Sequence, residues 1–215
     1  MEAMMRRHIP AILAALALLL SFAPLRADDP ARRDGGFRVL YGVEWGYDLQ
    51  LLNAYHHNYT DESDGFRVDE KKVKPMLYSN GHAAAHVTAE FADKFALGFH
   101  AGYAGIQQRT RFFPMSLRFA YFMDSYTADG NFVFLEGGAG IHEQRSTVSP
   151  FVRTGYGHRI RLTRRASMDF SASLRCTGDH PPIYDASIPG YVDEENVRRS
   201  DALYGALIFS ISLNF

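Results

Sequence analysis

The chain has one cysteine, Cys176, so no disulfide can form within it. Lysine is scarce as well: only Lys71, Lys72, Lys74 and Lys94 occur, and arginine supplies the other 19 of the 23 basic residues. There is no excess of positive charge. A formal net charge of -1 gives no field that would gather nucleic acid. Past residue 27, no run approaches the roughly 20 apolar residues that a membrane-spanning helix needs. After Asp34 there is no helical stripe of useful length, no repeat, no low-complexity tract and no linker. These absences argue against a disulfide scaffold, a helical membrane protein, a nucleic-acid binder and a multi-domain chain.

The first residues read as a targeting segment. Arg6, Arg7 and His8 precede the apolar stretch IPAILAALALLLSFAPL, the order of a secretory signal peptide. The unbroken run Ala11 to Leu20 is too short to span a bilayer, and Pro10 and Pro24 bracket it. Cleavage after Ala27 leaves residues 28–36 as a short periplasmic lead into a single domain, 37–215.

That domain is built from period-2 segments, the mark of strands. Eight are predicted, at 37–52, 80–91, 95–107, 115–123, 132–143, 150–162, 167–176 and 201–215. Short links join the second to the third and the sixth to the seventh. The link from the fourth to the fifth carries Asp129-Gly130, a hairpin signal. Two polar stretches, near 53–79 and 177–200, read as long loops. An even number of strands with hairpin-length links predicts an all-β, antiparallel up-and-down barrel.

Alternation does not by itself say which face is inside, so composition must decide. One face carries Val39, Val43, Trp45, Leu97, Phe99, Leu117, Phe119, Leu135, Val152, Leu174, Leu207 and Phe209, among others, and no Asp, Glu, Lys or Arg. His158 is its one ionisable exception besides weakly acidic Tyr and Cys side chains. The other face mixes glycine, serine and alanine with Arg38, Glu44, Asp48, Glu90, Arg118, Glu136, Arg153, Arg159, Arg161, Asp169 and Arg175. A solvated face has no need of so many glycines. Small residues make room where side chains converge, and guanidinium suits enclosure because it forks onto carboxylates. Six arginines against five carboxylates are close to neutral, as a buried network must be. The charged face is therefore expected inside, as one network filling the bore, and the apolar face toward lipid. Eight strands leave little lumen, so no open pore is expected.

With Leu207, Phe209, Ile211, Leu213 and Phe215 alternating to its last residue, the closing strand resembles the carboxy-terminal signature of Gram-negative outer-membrane barrels. The mature chain resembles the small eight-stranded group typified by the OmpA transmembrane domain and OmpX. The resemblance implies an outer-membrane location and a monomer. It also implies recognition of Phe209, Ile211, Leu213 and Phe215 by the barrel-assembly machinery. Partners would be outer-membrane lipid and lipopolysaccharide, and an unidentified ligand of the extracellular loops.

Enzymatic chemistry has one candidate. LYSNGHA partly resembles the His-x-Ser-Asn motif of PagL-type lipid A deacylases. Ser79 and Asn80 match its serine and asparagine, and Glu90 stands where an acidic partner would be sought. The family's histidine would fall at Leu77, so the hydroxyl lacks its base. Ser79 and Glu90 also differ in parity, which places them on opposite faces unless a bulge intervenes. His82, His86, His100 and His142 fall on the inner face without a spacing diagnostic of metal, and no motif calls for a cofactor.

Overall fold

The computed structural model describes residues 37–61, 65–106, 110–143, 147–163, 166–185 and 190–215. The signal peptide expected at 1–27 and the periplasmic segment expected at 28–36 lie outside them. In chain order the strands are β1 (Arg38–Thr60), β2 (Arg67–Phe91), β3 (Phe95–Gly105), β4 (Arg111–Phe122), β5 (Gly130–His142), β6 (Val148–Arg161) and β7 (Ser167–Asp179). A two-stranded ribbon follows, β8 (Tyr184–Asp185) with β9 (Gly190–Tyr191), and then β10 (Val197–Asn214). The ribbon stands apart. The other eight strands form a closed antiparallel barrel in which β10 pairs with both β7 and β1.

Closure runs to the last residue. Phe215 N–H donates to Tyr41 O at 2.8 Å, and Tyr41 N–H donates to Phe215 O at 3.1 Å. From there the β1–β10 register continues through Trp45↔Ile211 and Leu49↔Leu207. A ring without edges leaves no row of unpaired amides, which is the condition for strands in hydrocarbon.

The outer surface is apolar. Trp45, Leu117, Phe119, Leu135, Val152, Leu174 and Phe209 are all substantially exposed. Near the β2–β3 turn, Phe95 packs its ring against Phe91 at 6.1 Å and Tyr121 at 5.4 Å. The turns at 92–94 and 123–129 share one end of the barrel with both ends of the ring's chain.

The two polar stretches depart from expectation. Most of 53–79 is strand: β1 and β2 run on as a pair as far as Thr60 and Arg67. β7 and β10 likewise run into 177–200, and β8, β9 and the short 3-10 turn Glu194–Asn196 occupy the rest. Above the barrel a strand meets water on both faces. Its backbone ladder persists, but the alternation that betrays a strand is lost.

Inside, glycines mark close approach. A Cβ on Gly138 would lie 2.2 Å from Met115 O and 2.6 Å from Ser116 Cβ, so the neighbouring strand has no room for one. Replacing Gly138 by Val is expected to destabilise the barrel by about 1–3 kcal/mol through overpacking. Urea unfolding in lipid vesicles should show a lower midpoint. An unchanged midpoint would contradict the packing described.

Candidate functional site

The bore is filled by side chains, and the strands place them by parity. At the end that carries the short turns, Arg159 grips Asp169 with two bonds, Nε to Oδ1 at 2.7 Å and Nη2 to Oδ2 at 2.8 Å. Its Nη1 also donates to Glu90. Arg38 Nε reaches the other Glu90 oxygen at 3.0 Å, and Asn214 Nδ2 donates to Asp169 at 3.1 Å.

Further along the axis, Glu44 is the hub. Its Oε2 accepts from Arg118 Nη1 at 2.7 Å and Ser212 Oγ at 3.2 Å, and its Oε1 accepts from Arg153 Nη1 at 2.8 Å. Glu136 accepts from Arg118 Nη2 at 2.7 Å, Arg118 Nε at 2.9 Å and Ser116 Oγ at 2.6 Å. His82 bridges two carboxylates, with Nδ1 2.5 Å from Asp48 and Nε2 3.1 Å from Glu44. Arg175 pairs with Asp48 at 2.9 Å.

Expected as one network, the charges thus gather in two hydrogen-bonded sets. Aromatic rings run between them. Arg159 sits 4.5 Å from the Phe122 ring, Phe122 packs on Phe132 at 5.2 Å and Phe132 on Phe134 at 6.2 Å. Arg118 and Arg153 then sit 4.5 and 5.3 Å from the Phe134 ring. His86 and His100 stack at 4.7 Å. Arg161 does not join either set: it is exposed, and its contacts are to Thr127 O and Asp129 near the rim. The inner aromatics Phe112, Phe122, Phe132, Phe134 and Phe151 and the bridging role of His82 escaped the sequence reading. The same parity that placed the charges also placed them, and attention to charge alone passed them over.

Beyond Asp48, the bore is capped. Ala104, Ile106, Phe112, Phe151, Ala202 and Tyr204 form a buried apolar cluster against which Tyr55 packs. Beside it, His142 Nε2 lies 2.6 Å from Ser149 Oγ, which donates to Asp179 at 2.9 Å. A cavity lined by Glu44, His82, His100, Arg118, Arg153 and Arg175 measures about 30 Å³, polar and large enough to admit water.

No family model and no curated protein sequence matches the chain. Among solved structures it is similar to the outer membrane protein OprG from Pseudomonas aeruginosa, with TM-score 0.51 and 11% identity over 87% of this chain and 99% of that one. Neisserial surface protein A is also similar, at TM-score 0.40 and 7% identity, over 84% and 99%. The fold is that of a small outer-membrane barrel.

Within that barrel, the residues of the deacylase-like motif are kept apart. Ser79 is exposed on the outer face, opposite Leu49. Asn80 turns inward against Gly105. Glu90 is fully buried and bound to Arg38 and Arg159. A register shift does exist, but it lies at Gln50–Leu52, on the far side of Ser79 from Glu90. From Asn80↔Asp48 to Glu90↔Arg38 the ladder is unbroken, so Ser79 and Glu90 stay on opposite faces, roughly 36 Å apart along the strand. Among the described residues, no group of three or more His, Cys, Asp or Glu is arranged to hold a metal ion.

The other feature of note is a projecting blade. Between Leu52 and Tyr59, β1 pairs with β2 on one side and β10 on the other, giving a three-stranded sheet above the barrel. His56 Nε2 lies 2.8 Å from Asp69 Oδ1, and this hydrogen bond holds the Asp69 carboxyl below the usual range. Arg199 does the same for Asp201.

Glu44→Ala would leave Arg118, Arg153 and His82 facing one another in a closed space. It is expected to cost about 3–5 kcal/mol, the range for breaking a buried pair. Arg161→Ala, at the solvated rim, should stay within about 0.5 kcal/mol of wild type. Reversible unfolding of both variants in vesicles tests the contrast, and equal effects would refute it.

Proposed function

We propose that the chain is an integral outer-membrane barrel with a plugged bore, which works through the surface it presents outside the membrane rather than by conducting solutes. The observation that carries this reading is the pairing of an apolar exterior with a filled interior. Hydrocarbon is the only solvent that suits Trp45, Leu117, Phe119, Leu135 and Phe209 on one continuous outer face. The salt-bridged sets, the inner rings and the apolar cap together occupy the space through which a solute would have to pass. Against that scaffold the β1–β2–β10 blade is the part free to meet a partner, and rigid barrels commonly carry function on such extensions. The signal peptide, the recognition of the closing strand by the assembly machinery and a monomeric state belong to this reading.

A lipid A acyl hydrolase is a second reading only through Ser79, which is exposed on the outer face of β2. It lacks a base at Leu77, and Glu90 is on the other face.

Two measurements test the proposal. Pure wild-type protein in planar bilayers is expected to give no steady, large, reproducible conductance steps; such steps would overturn the plug. Mass spectrometry of lipid A is expected to show the same acyl pattern with wild type, with Ser79→Ala and without the gene. Loss of an acyl chain that depends on Ser79 would establish the hydrolase instead.

A further inference from the structure

Three of the four lysines of the chain lie within four residues of β2, on the exposed edge of the blade. Lysine and Pro75 on a free edge discourage pairing with another sheet. That role is indifferent to where along the blade the lysines stand, whereas their position turns out to be specific.

The register defines rows across the outward face of the blade. The row Leu203–Ala54–Val73 is apolar, with Val73 67% and Leu203 47% exposed. The next row away from the barrel is Asp201–His56–Lys71, and the one after is Arg199–Asn58–Asp69. Apolar surface thus gives way to charged surface in one step, about 7 Å along the strands. The apolar row continues the lipid-facing surface of the barrel through Leu51 and Leu52, both exposed. A shallow groove of about 430 Å³ lies across this boundary, lined by Ala54, His56, Lys71, Val73, Asp201 and Leu203 together with their chain neighbours.

The charges in the groove are not equivalent. Asp69 is held by His56 and by Asn58 Nδ2, and Asp201 by Arg199 and by His180 Nδ1 at 3.1 Å. Lys72 pairs with Glu70, and Lys74 lies over the Tyr55 ring at 5.1 Å. Both carboxylates on this face therefore already have close side-chain partners, Asp69 a hydrogen-bonded pair and Asp201 an arginine. Among the described residues, Lys71 is left as an exposed ammonium with no carboxylate at ion-pair distance, although Asp69 feels its charge from further off. Arg67, two rows further out, spends its Nε on the neutral Asn58 amide.

We infer that this groove holds the phosphorylated headgroup of an outer-leaflet glycolipid, its phosphate on Lys71 and its acyl chains along Val73, Leu203 and Leu52. The apolar row meets the chains, and Lys71, one row further from the barrel than Val73, stands at headgroup level. Arg67 is the second cation that a sugar-linked phosphate further from the bilayer would meet. The inference rests on the membrane-spanning reading above and names a partner for its exposed surface.

The test uses the full mature barrel folded in nanodiscs of zwitterionic lipid. Bisphosphorylated lipid A, the same lipid with its phosphates removed, and inorganic phosphate are titrated in separately, and bound lipid is counted by native mass spectrometry. The phosphorylated lipid is expected to bind more tightly than the dephosphorylated one. Lys71→Gln is expected to weaken it about fivefold, the worth of one cation near a charged surface, and Arg67→Gln by a smaller factor. Lys94→Gln, on the opposite rim where Lys94 Nζ donates to Met123 O, should change nothing. Equal binding of the two lipids, or unchanged binding in Lys71→Gln, would overturn the inference. So would displacement of the lipid by inorganic phosphate alone at matched concentration, which would mean a free-anion site. Circular dichroism of the same samples separates the two levels: a folded, inserted barrel that fails to discriminate sinks only this inference. A chain that does not insert sinks the membrane reading beneath it.

Discussion

Glu44 is buried at the centre of a ring of strands, and the rest of the barrel answers to that fact. A carboxylate out of water must be met by donors from several directions. Here they come from β4, β6, β2 and β10, through Arg118, Arg153, His82 and Ser212. Four strands distributed around the ring must therefore hold their registers together. A slip of one residue in any of them would turn its polar members outward and its apolar ones in. The hydrogen bonds to one side chain thus report on the closure of the whole sheet.

The arginine bias follows from the same constraint. Arg118 binds two carboxylates at once, Glu44 through Nη1 and Glu136 through Nη2 and Nε, while its plane lies near the Phe134 ring. Lysine has one point of charge and no plane, so it could serve neither arrangement as well. The small residues are the counterpart. Ser173 and Ser210 accept from Arg153, and Gly138 admits Ser116 beside Glu136. Where the guanidinium groups leave off, Phe122, Phe132 and Phe134 take up the space and carry contact from one charged set to the other.

The blade reverses this economy. Both its faces start apolar beside the barrel, Tyr55 on the cap and Val73 outside, and further out its charges sit near the surface, where single ion pairs are worth little. What matters there is placement relative to the apolar band. The row Leu203–Ala54–Val73 and the row Asp201–His56–Lys71 differ in kind although they are adjacent, which fixes a level for the boundary between lipid and headgroup. A rigid plugged barrel is a suitable mount for such a feature because the height of each row is set by strand register and not by a loop.

The alternation of apolar with small and charged residues sufficed to specify strand number, topology and the sense in which the faces point, because an eight-strand bore and a hydrocarbon exterior make opposite chemical demands. The closing strand was legible for the same reason, down to Phe215. Segments 53–79 and 177–200 were not: once both faces are wet, backbone pairing continues with no side-chain period to reveal it. The grouping of the charges was also out of reach. Eleven residues shared a face, yet only the tilt and stagger of the strands sort ten of them into two sets joined by hydrogen bonds and ion pairs and leave Arg161 at the rim. The parity of Ser79 and Glu90 already set them on opposite faces unless a bulge intervened. Unbroken register from Asn80 to Glu90 separates them, because along a strand proximity in sequence is distance in space. The level of Lys71 against the apolar band was equally out of reach, since it exists only when β1, β2 and β10 lie side by side.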